Sequence, residues 1–383
     1  MPTLIKKLFF ACYTLFFLCT NANAANTSHE VKAHTLPMET AERFGELYIH
    51  YDGRICPMQT LAIDFTKKLY GARSYKGLTA EQVLTGWIFW GEEWMQEPMI
   101  KIKGDNLREA LQLPGYASAS HFYNKDMSSY SISKYIKEYN DGKRDAFHTQ
   151  VIGIDKKIQL LMSLRRGLLL KMFPCSMSDS IVWYAPTDEL PKSIDYKRQQ
   201  FIQMVFTVLY DAAEDHDYKQ MDMIVGKILN YQLKYGGTSL PTAEQMHAEH
   251  IYNTIPFATW VAYLCIAMGF LTLAYALTRR RRHSSLDGYD SQPAHRHSFT
   301  NRLVYVVSTT MMLIAFITLS ASEYLRYVIS GTLPLDGIYD ILLVVAWALM
   351  LLTLALGWRW RIIITCGFLM AGLCLLGSVY CYS

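Results

Sequence analysis

Three groups of side chains in this chain of 383 residues have the types and spacing for chemistry. His247 and His250 stand three positions apart in a stretch that reads as helix, so both imidazoles project from one side and could ligate iron or a divalent metal. Two ligands without a third make a weak metal site, and solvated histidines are the stronger reading. Trp87, Trp90 and Trp94 follow Val83 at spacings of four, three and four, which places them on one helical face. Such a face could carry a flat aromatic ligand such as a porphyrin, although a tryptophan stripe is more often a core face. The third group is Gly53-Arg54-Ile55-Cys56-Pro57-Met58-Gln59-Thr60, in which Arg54 either pairs with a carboxylate of a ligand or partner or braces the turn made by Gly53 and Pro57.

Other familiar chemistries are missing. The chain has no Gly-x-Ser-x-Gly, no phosphate loop and no His-Glu-x-x-His. Of its eight cysteines, only Cys56 and Cys175 lie outside the apolar segments. A disulfide between them is permitted by an exported setting, but spacing cannot establish one. The absence of Cys-x-x-Cys and Cys-x-x-Cys-His excludes a thioredoxin-like motif and covalent haem attachment to this chain itself. His121, His148 and His216 are isolated, and His295 and His297 extend a basic cluster.

The elements that must position these residues fall into two parts. With 51% apolar residues and a net charge of +4, the chain is too apolar for a typical soluble enzyme, and the excess is concentrated at the N-terminus and after Pro256. Residues 1–24 read as a signal peptide: Lys6 and Lys7, the apolar run from Leu8 to Cys19, then Ala22 and Ala24 as the small residues before cleavage. A retained signal anchor is the alternative. Four spans are expected at 256–278, 303–321, 338–356 and 362–381, joined by a basic linker (279–302), an external loop (322–337) and a short turn (357–361). Arg279 to Arg282, Arg296 and Arg302 in the linker, with Arg359 and Arg361 in the turn, stand against Arg326 alone in the loop. That bias places both ends of the mature chain and the soluble domain (25–255) outside the cytoplasm. The four-arginine run reads as a topological anchor and not as a nucleic-acid patch. Glu323 and Asp340 are expected at hydrated span boundaries, which argues against an ion pathway.

The expected class is mainly α, an exported α-rich domain with minor β followed by a four-helix transmembrane module. Thr79 with Gln82 and Thr242 with Gln245 have capping-box spacing. Helices are expected at about 60–70, 79–95, 106–113, 131–139, 156–172, 194–214, 218–233 and 242–253, with short strands at 151–154 and 181–184.

The 53–71 run GRICPMQTLAIDFTKKLYG, followed by Tyr75-Lys76-Gly77-Leu78, by Trp94 with Glu97-Pro98-Met99-Ile100-Lys101-Ile102, and by Tyr116-Ala117-Ser118, resembles the exported domain of ResB/CcsA-type (System II) cytochrome c biogenesis proteins. Further on, Ser330-Gly331-Thr332-Leu333-Pro334 with Ile338-Tyr339-Asp340 and Ala346-Trp347 is similar to the segment that opens the CcsA-like membrane module. The family usually has Glu where this chain has Asp340. The resemblance implies a role in attaching haem to c-type cytochromes, with Gly53, Arg54, Pro57 and Thr60 as haem or partner contacts and Pro334, Tyr339, Asp340 and Trp347 as the membrane-module motif. It implies haem as the handled group. The implied partners are membrane lipid, apocytochrome c and a further haem-lyase subunit carrying the family's Trp-rich motif. The four spans contain no histidine to carry haem across the membrane, and the Trp-rich motif is not reached, so the chain alone is expected not to be a complete synthase. A membrane-anchored adaptor without haem contact is the alternative.

Overall fold

A computed structural model describes residues 31–123, 129–177, 180–284, 294–332, 335, 337–357, 359 and 361–381. The expected signal peptide and Pro334 lie outside these residues. The chain divides into two compact units between Thr242 and Ala243. The helix after that point therefore belongs with the membrane spans and not, as the boundary at 255 has it, with the soluble domain.

In the soluble unit, helix α1 (Met38–Gly45) leads into strands β1 (Tyr48–Tyr51) and β2 (Arg54–Pro57), then α2 (Met58–Tyr70), α3 (Ala80–Phe89) and the short α4 (Gly91–Trp94). Strand β3 (Ile100–Lys101), α5 (Asp105–Leu111) and β4 (Tyr116–Ala117) follow, with α6 (Ser133–Asn140) and α7 (Ala146–Arg165) after them. Strands β5 (Phe173–Ser176) and β6 (Ile181–Tyr184) precede the long helices α8 (Tyr196–Glu214) and α9 (Tyr218–Tyr235). The strands form three antiparallel pairs, each of neighbours in the chain. Helix accounts for 68% of the structure, so the class is mainly α, as expected.

Local chemistry explains most of these boundaries. Thr79 Oγ1 accepts from the Gln82 N–H at 3.2 Å while Gln82 Oε1 accepts from the Thr79 N–H at 3.1 Å, the reciprocal cap that starts α3. The expected helix over 79–95 is interrupted at Trp90 (φ −123°, ψ 43°), and the reason is steric. The break folds Trp94 back onto Gly86, where a Cβ would lie 2.4 Å from Trp94 Nε1. The strand expected at 151–154 is helix, the middle of α7. Val151, Ile154, Ile158, Leu161 and Leu164 are buried at helical spacing, and Asp145 caps the helix by accepting from the His148 N–H at 2.9 Å. The strand at 181–184 is present.

Among the polar side chains buried in this unit, one ties segments distant in the chain together. Gln232 on α9 is fully buried. Its amide nitrogen donates to the carbonyls of Tyr48 at 2.7 Å and Met172 at 2.9 Å, and its oxygen accepts from the Tyr48 N–H at 2.9 Å. It thus fastens β1 and the chain entering β5 to one helix.

The membrane unit contains α10 (Ala243–Thr254), α11 (Phe257–Ser284), α12 (Ala294–Ser330), α13 (Ile338–Leu356) and α14 (Arg361–Cys381). Stretches of α11 to α14 are long and apolar enough to cross a bilayer: Phe257–Thr278, Arg302–Ser330, Ile338–Leu356 and Ile362–Tyr380. The second differs from the expected 303–321 with a loop after it, because the helix continues to Ser330 and carries Glu323 and Arg326 with it. Glycines let α14 approach its neighbours: a Cβ on Gly372 would meet Ile266 of α11 at 2.8 Å, and one on Gly367 would meet the Thr353 hydroxyl of α13 at 2.1 Å. Close approach at small residues is how helices pack where lipid removes the hydrophobic drive.

Gln232→Leu is expected to destabilise the soluble unit by about 3 kcal/mol, because it strands buried backbone groups of Tyr48 and Met172. Thermal unfolding of the purified chain followed by circular dichroism measures this. An unchanged transition would show that the amide does not hold the strands.

Candidate functional site

The Gly53–Thr60 block is a hairpin running into a helix. Tyr51 opposes Arg54 as the last pair of β1 and β2, and the two residues between them, Asp52 (φ 51°) and Gly53 (φ 75°), are both left-handed. That is the geometry of a two-residue turn matching the twist of its strands, which the Asp-Gly pair favours. Cys56 is fully buried, and its thiol donates to the Ile49 carbonyl at 3.8 Å. Pro57 is buried, with φ −63° and ψ 145° as it directs the chain into α2. The Met58 N–H donates to the Leu47 carbonyl at 2.7 Å. Arg54 and Thr60 are half-buried, Thr60 in the first turn of α2. Gly53, Cys56 and Pro57 thus set the backbone, while Arg54, Ile55, Gln59 and Thr60 are the half-buried side chains of the block.

Sequence reasoning missed what lies across the hairpin from Arg54. The Tyr51 hydroxyl donates to Asp64, the Lys68 ammonium donates to the Tyr51 oxygen at 3.1 Å, and Lys68 pairs with Asp64 at 2.6 Å. Burial, reinforced by the Asp64 hydrogen bond and charge, pushes the Tyr51 phenol well above its ordinary range. The four-residue spacing of Asp64 and Lys68 on α2 was the available signal.

The tryptophans do not form a platform. Trp87 and Trp94 are 1% and 0% exposed, with ring centroids 6.0 Å apart, and the break at Trp90 removes the single continuous face. Trp87 Nε1 donates to the Met99 sulfur at 3.4 Å and Trp94 Nε1 to the His34 carbonyl at 2.9 Å, so neither indole has a side left for a stacked ligand. Half-buried Trp90 packs on this core. His247 and His250 are exposed on α10, while Ala248 and Glu249 face inward. No cluster of three or more histidine, cysteine or acidic residues forms a metal site among the described residues. Cys56 and Cys175 are buried and not joined to each other.

In the membrane unit, two of the four motif residues, Tyr339 and Asp340, share a polar group that sequence reasoning left unassembled, and a third, Trp347, makes a separate contact. The Arg326 guanidinium of α12 donates to Asp340 of α13 and lies 3.7 Å from Glu323, and its carbon stands 5.2 Å from the Tyr339 ring centre. The Tyr339 and Tyr252 hydroxyls are 3.4 Å apart, which brings in α10. Trp347 Nε1, farther along α13, donates to the Ser320 hydroxyl of α12 at 2.9 Å, with Phe316 against the indole. Asp340 is 9% exposed, so the expectation of a hydrated boundary carboxylate gives way to a buried ion pair. The arrangement holds the ends of three helices in one register; it supplies no nucleophile and no metal site.

Arg326→Leu should leave Glu323 and Asp340 facing each other without a cation, a loss of about 3 kcal/mol, while Arg326→Leu with Asp340→Leu should recover most of it. Detergent-solubilised melting temperatures decide this. A double variant no better than the single one would mean that the pair does more than neutralise charge.

Compared with descriptions of known protein families, the chain matches none. It is similar to protein NrfI of Wolinella succinogenes, 24% identical over 346 residues that cover 89% of this chain. The same stretch covers 37% of NrfI, so the chain spans little more than a third of the length of the curated relative it matches.

Proposed function

We propose that this chain is a membrane-anchored component of c-type cytochrome maturation. It assists haem delivery or apocytochrome handling on the outer face of the inner membrane, as one part of a split or partial haem lyase of the ResB/CcsA kind. The observation that carries the reading is the likeness to NrfI along 89% of the chain, which embraces both units and supports a place in cytochrome c maturation. The two resembling segments also fall on real structural features. One is the hairpin and helix start at Gly53–Thr60, and the other is the buried group around Asp340 and Tyr339.

In this reading the soluble unit faces the compartment where apocytochrome arrives, and Arg54 with Thr60 meets haem or a partner. The membrane unit joins a further subunit bearing the Trp-rich motif. Haem is cargo here. With no histidine in the spans and the ring faces of Trp87 and Trp94 buried, the haem-presenting ligands come from the partner subunit.

Two experiments test the reading. A reporter active only outside the cytoplasm should work when fused after Gly237 and fail when fused near Asp290; activity at Asp290 would overturn the orientation. Arg54→Ala should lower the yield of covalent haem on a reporter cytochrome while protein abundance stays within about twofold, since losing a surface contact costs within about 0.5 kcal/mol of fold stability. Abundance and haem falling together would assign Arg54 to the fold, and normal haem would remove it from the site.

A further inference from the structure

The soluble unit carries an aromatic and basic shelf built from Tyr70, Gly71, Tyr75, Lys101 and Tyr116 of the resembling stretches with Lys103 and Lys157, apart from the contacts Gly53, Arg54, Pro57 and Thr60. Lys101 on β3 stands directly opposite Tyr116 on β4, so both side chains leave the same face of the hairpin. Tyr116 is 38% exposed, and its ring lies 4.8 Å from that of Tyr70, the last residue of α2, at 40°. Tyr70 is braced from below by the buried Tyr75 at 4.9 Å and 88°. The next residue, Gly71, is left-handed (φ 90°), and the Lys101 side chain crosses it where a Cβ would come within 3.1 Å. The aliphatic Lys101 stem, laid across Gly71, adjoins the two mutually inclined phenol rings.

Positive charge is gathered beside this surface. The Lys157 ammonium of α7 donates to the carbonyls of Lys101 at 2.7 Å and Leu69 at 3.3 Å, which satisfies the end of α2. Lys103 joins it from the strand end. Among the described residues no carboxylate pairs with Lys101, Lys103 or Lys157. The nearby acids are engaged elsewhere: Asp64 with Lys68 and Tyr51, and Asp105 with Arg108. Burial first, then the charges of Lys103 and Lys101, hold the Lys157 ammonium down to about 8, and burial with Arg73 does the same for Lys67. Like charges crowded at Lys101, Lys103 and Lys157 are the condition that an arriving anion relieves.

We propose that this shelf binds a flat aromatic ligand bearing carboxylates, the ring on Tyr70 and Tyr116 and the carboxylates received by Lys101, Lys103 and Lys157. The choice of haem, with its two propionates, as the natural occupant rests on the maturation reading; the shelf chemistry does not. An anion beside Lys157 favours its charged form, so binding takes up protons there. Affinity is therefore full below about pH 7 and declines as pH rises through about 8, where the free protein's Lys157 loses its charge.

The test uses the full chain in nanodiscs of neutral lipid, with an iron-free porphyrin dicarboxylate and its dimethyl ester as probes, read by fluorescence anisotropy. The diacid should bind about tenfold tighter than the ester, and the advantage should vanish in Lys101→Gln/Lys103→Gln and shrink between pH 7 and pH 9. Tyr116→Ala should weaken both probes, with circular dichroism confirming the fold of each variant. Equal binding of diacid and ester, folded variants that bind like the original, or no binding at all would overturn the proposal. Failure here beside a normal yield of covalent haem sinks the shelf and leaves the maturation reading standing. Binding as expected from a chain with no part in haem attachment does the reverse.

Discussion

The soluble unit depends on one buried amide. Gln232 sits at zero exposure and satisfies both backbone groups of Tyr48 and the carbonyl of Met172, so two strand segments distant in the chain share one anchor on α9. Buried backbone groups that lose their partners are costly, which gives this contact its leverage. β1 is held there, β2 pairs only with β1, and α2 begins immediately after Pro57. The position of Arg54 and Thr60 is therefore set from across the domain. The Lys171 carbonyl accepting from the His50 N–H at 2.9 Å extends the same seam.

A different constraint governs the membrane unit. Helices that close their own backbone hydrogen bonds meet through side chains and, where a side chain is missing, through close backbone approach. Here they meet through glycines of α14 and through the ion pair of Arg326 with Asp340. A cation held between two carboxylates fixes which helix faces meet at that end, a use of buried charge that serves register more than stability.

Much of this was legible in the sequence wherever the signal was local. The Thr79 and Gln82 cap, the span lengths and the strand at 181–184 follow from neighbours within a few residues. The misreadings came from taking short windows alone. Val151–Ile154 looks like a strand between polar turns until Ile158, Leu161 and Leu164 continue its helical period. Gly53 reads as the start of a motif and as making a turn with Pro57, whereas the turn is the Asp52-Gly53 pair itself, between two strands. Trp90 breaks its helix for a reason no window holds, the return of Trp94 onto Gly86. Arg326 could not be placed because its partners Asp340 and Tyr339 come from another helix, and Lys101, Tyr116 and Lys157 meet only once three separate elements have folded.

The proposed place of this chain in c-type cytochrome maturation can be measured directly in the cell. The direct measurement is to delete it from its own host, restore it on a plasmid, and compare covalently bound haem, by in-gel peroxidase staining, with apocytochrome detected by antibody. Deletion is expected to remove the haem signal while apocytochrome is still made and exported, and restoration to return it. Undiminished covalent haem in the deletion strain would contradict the proposed role.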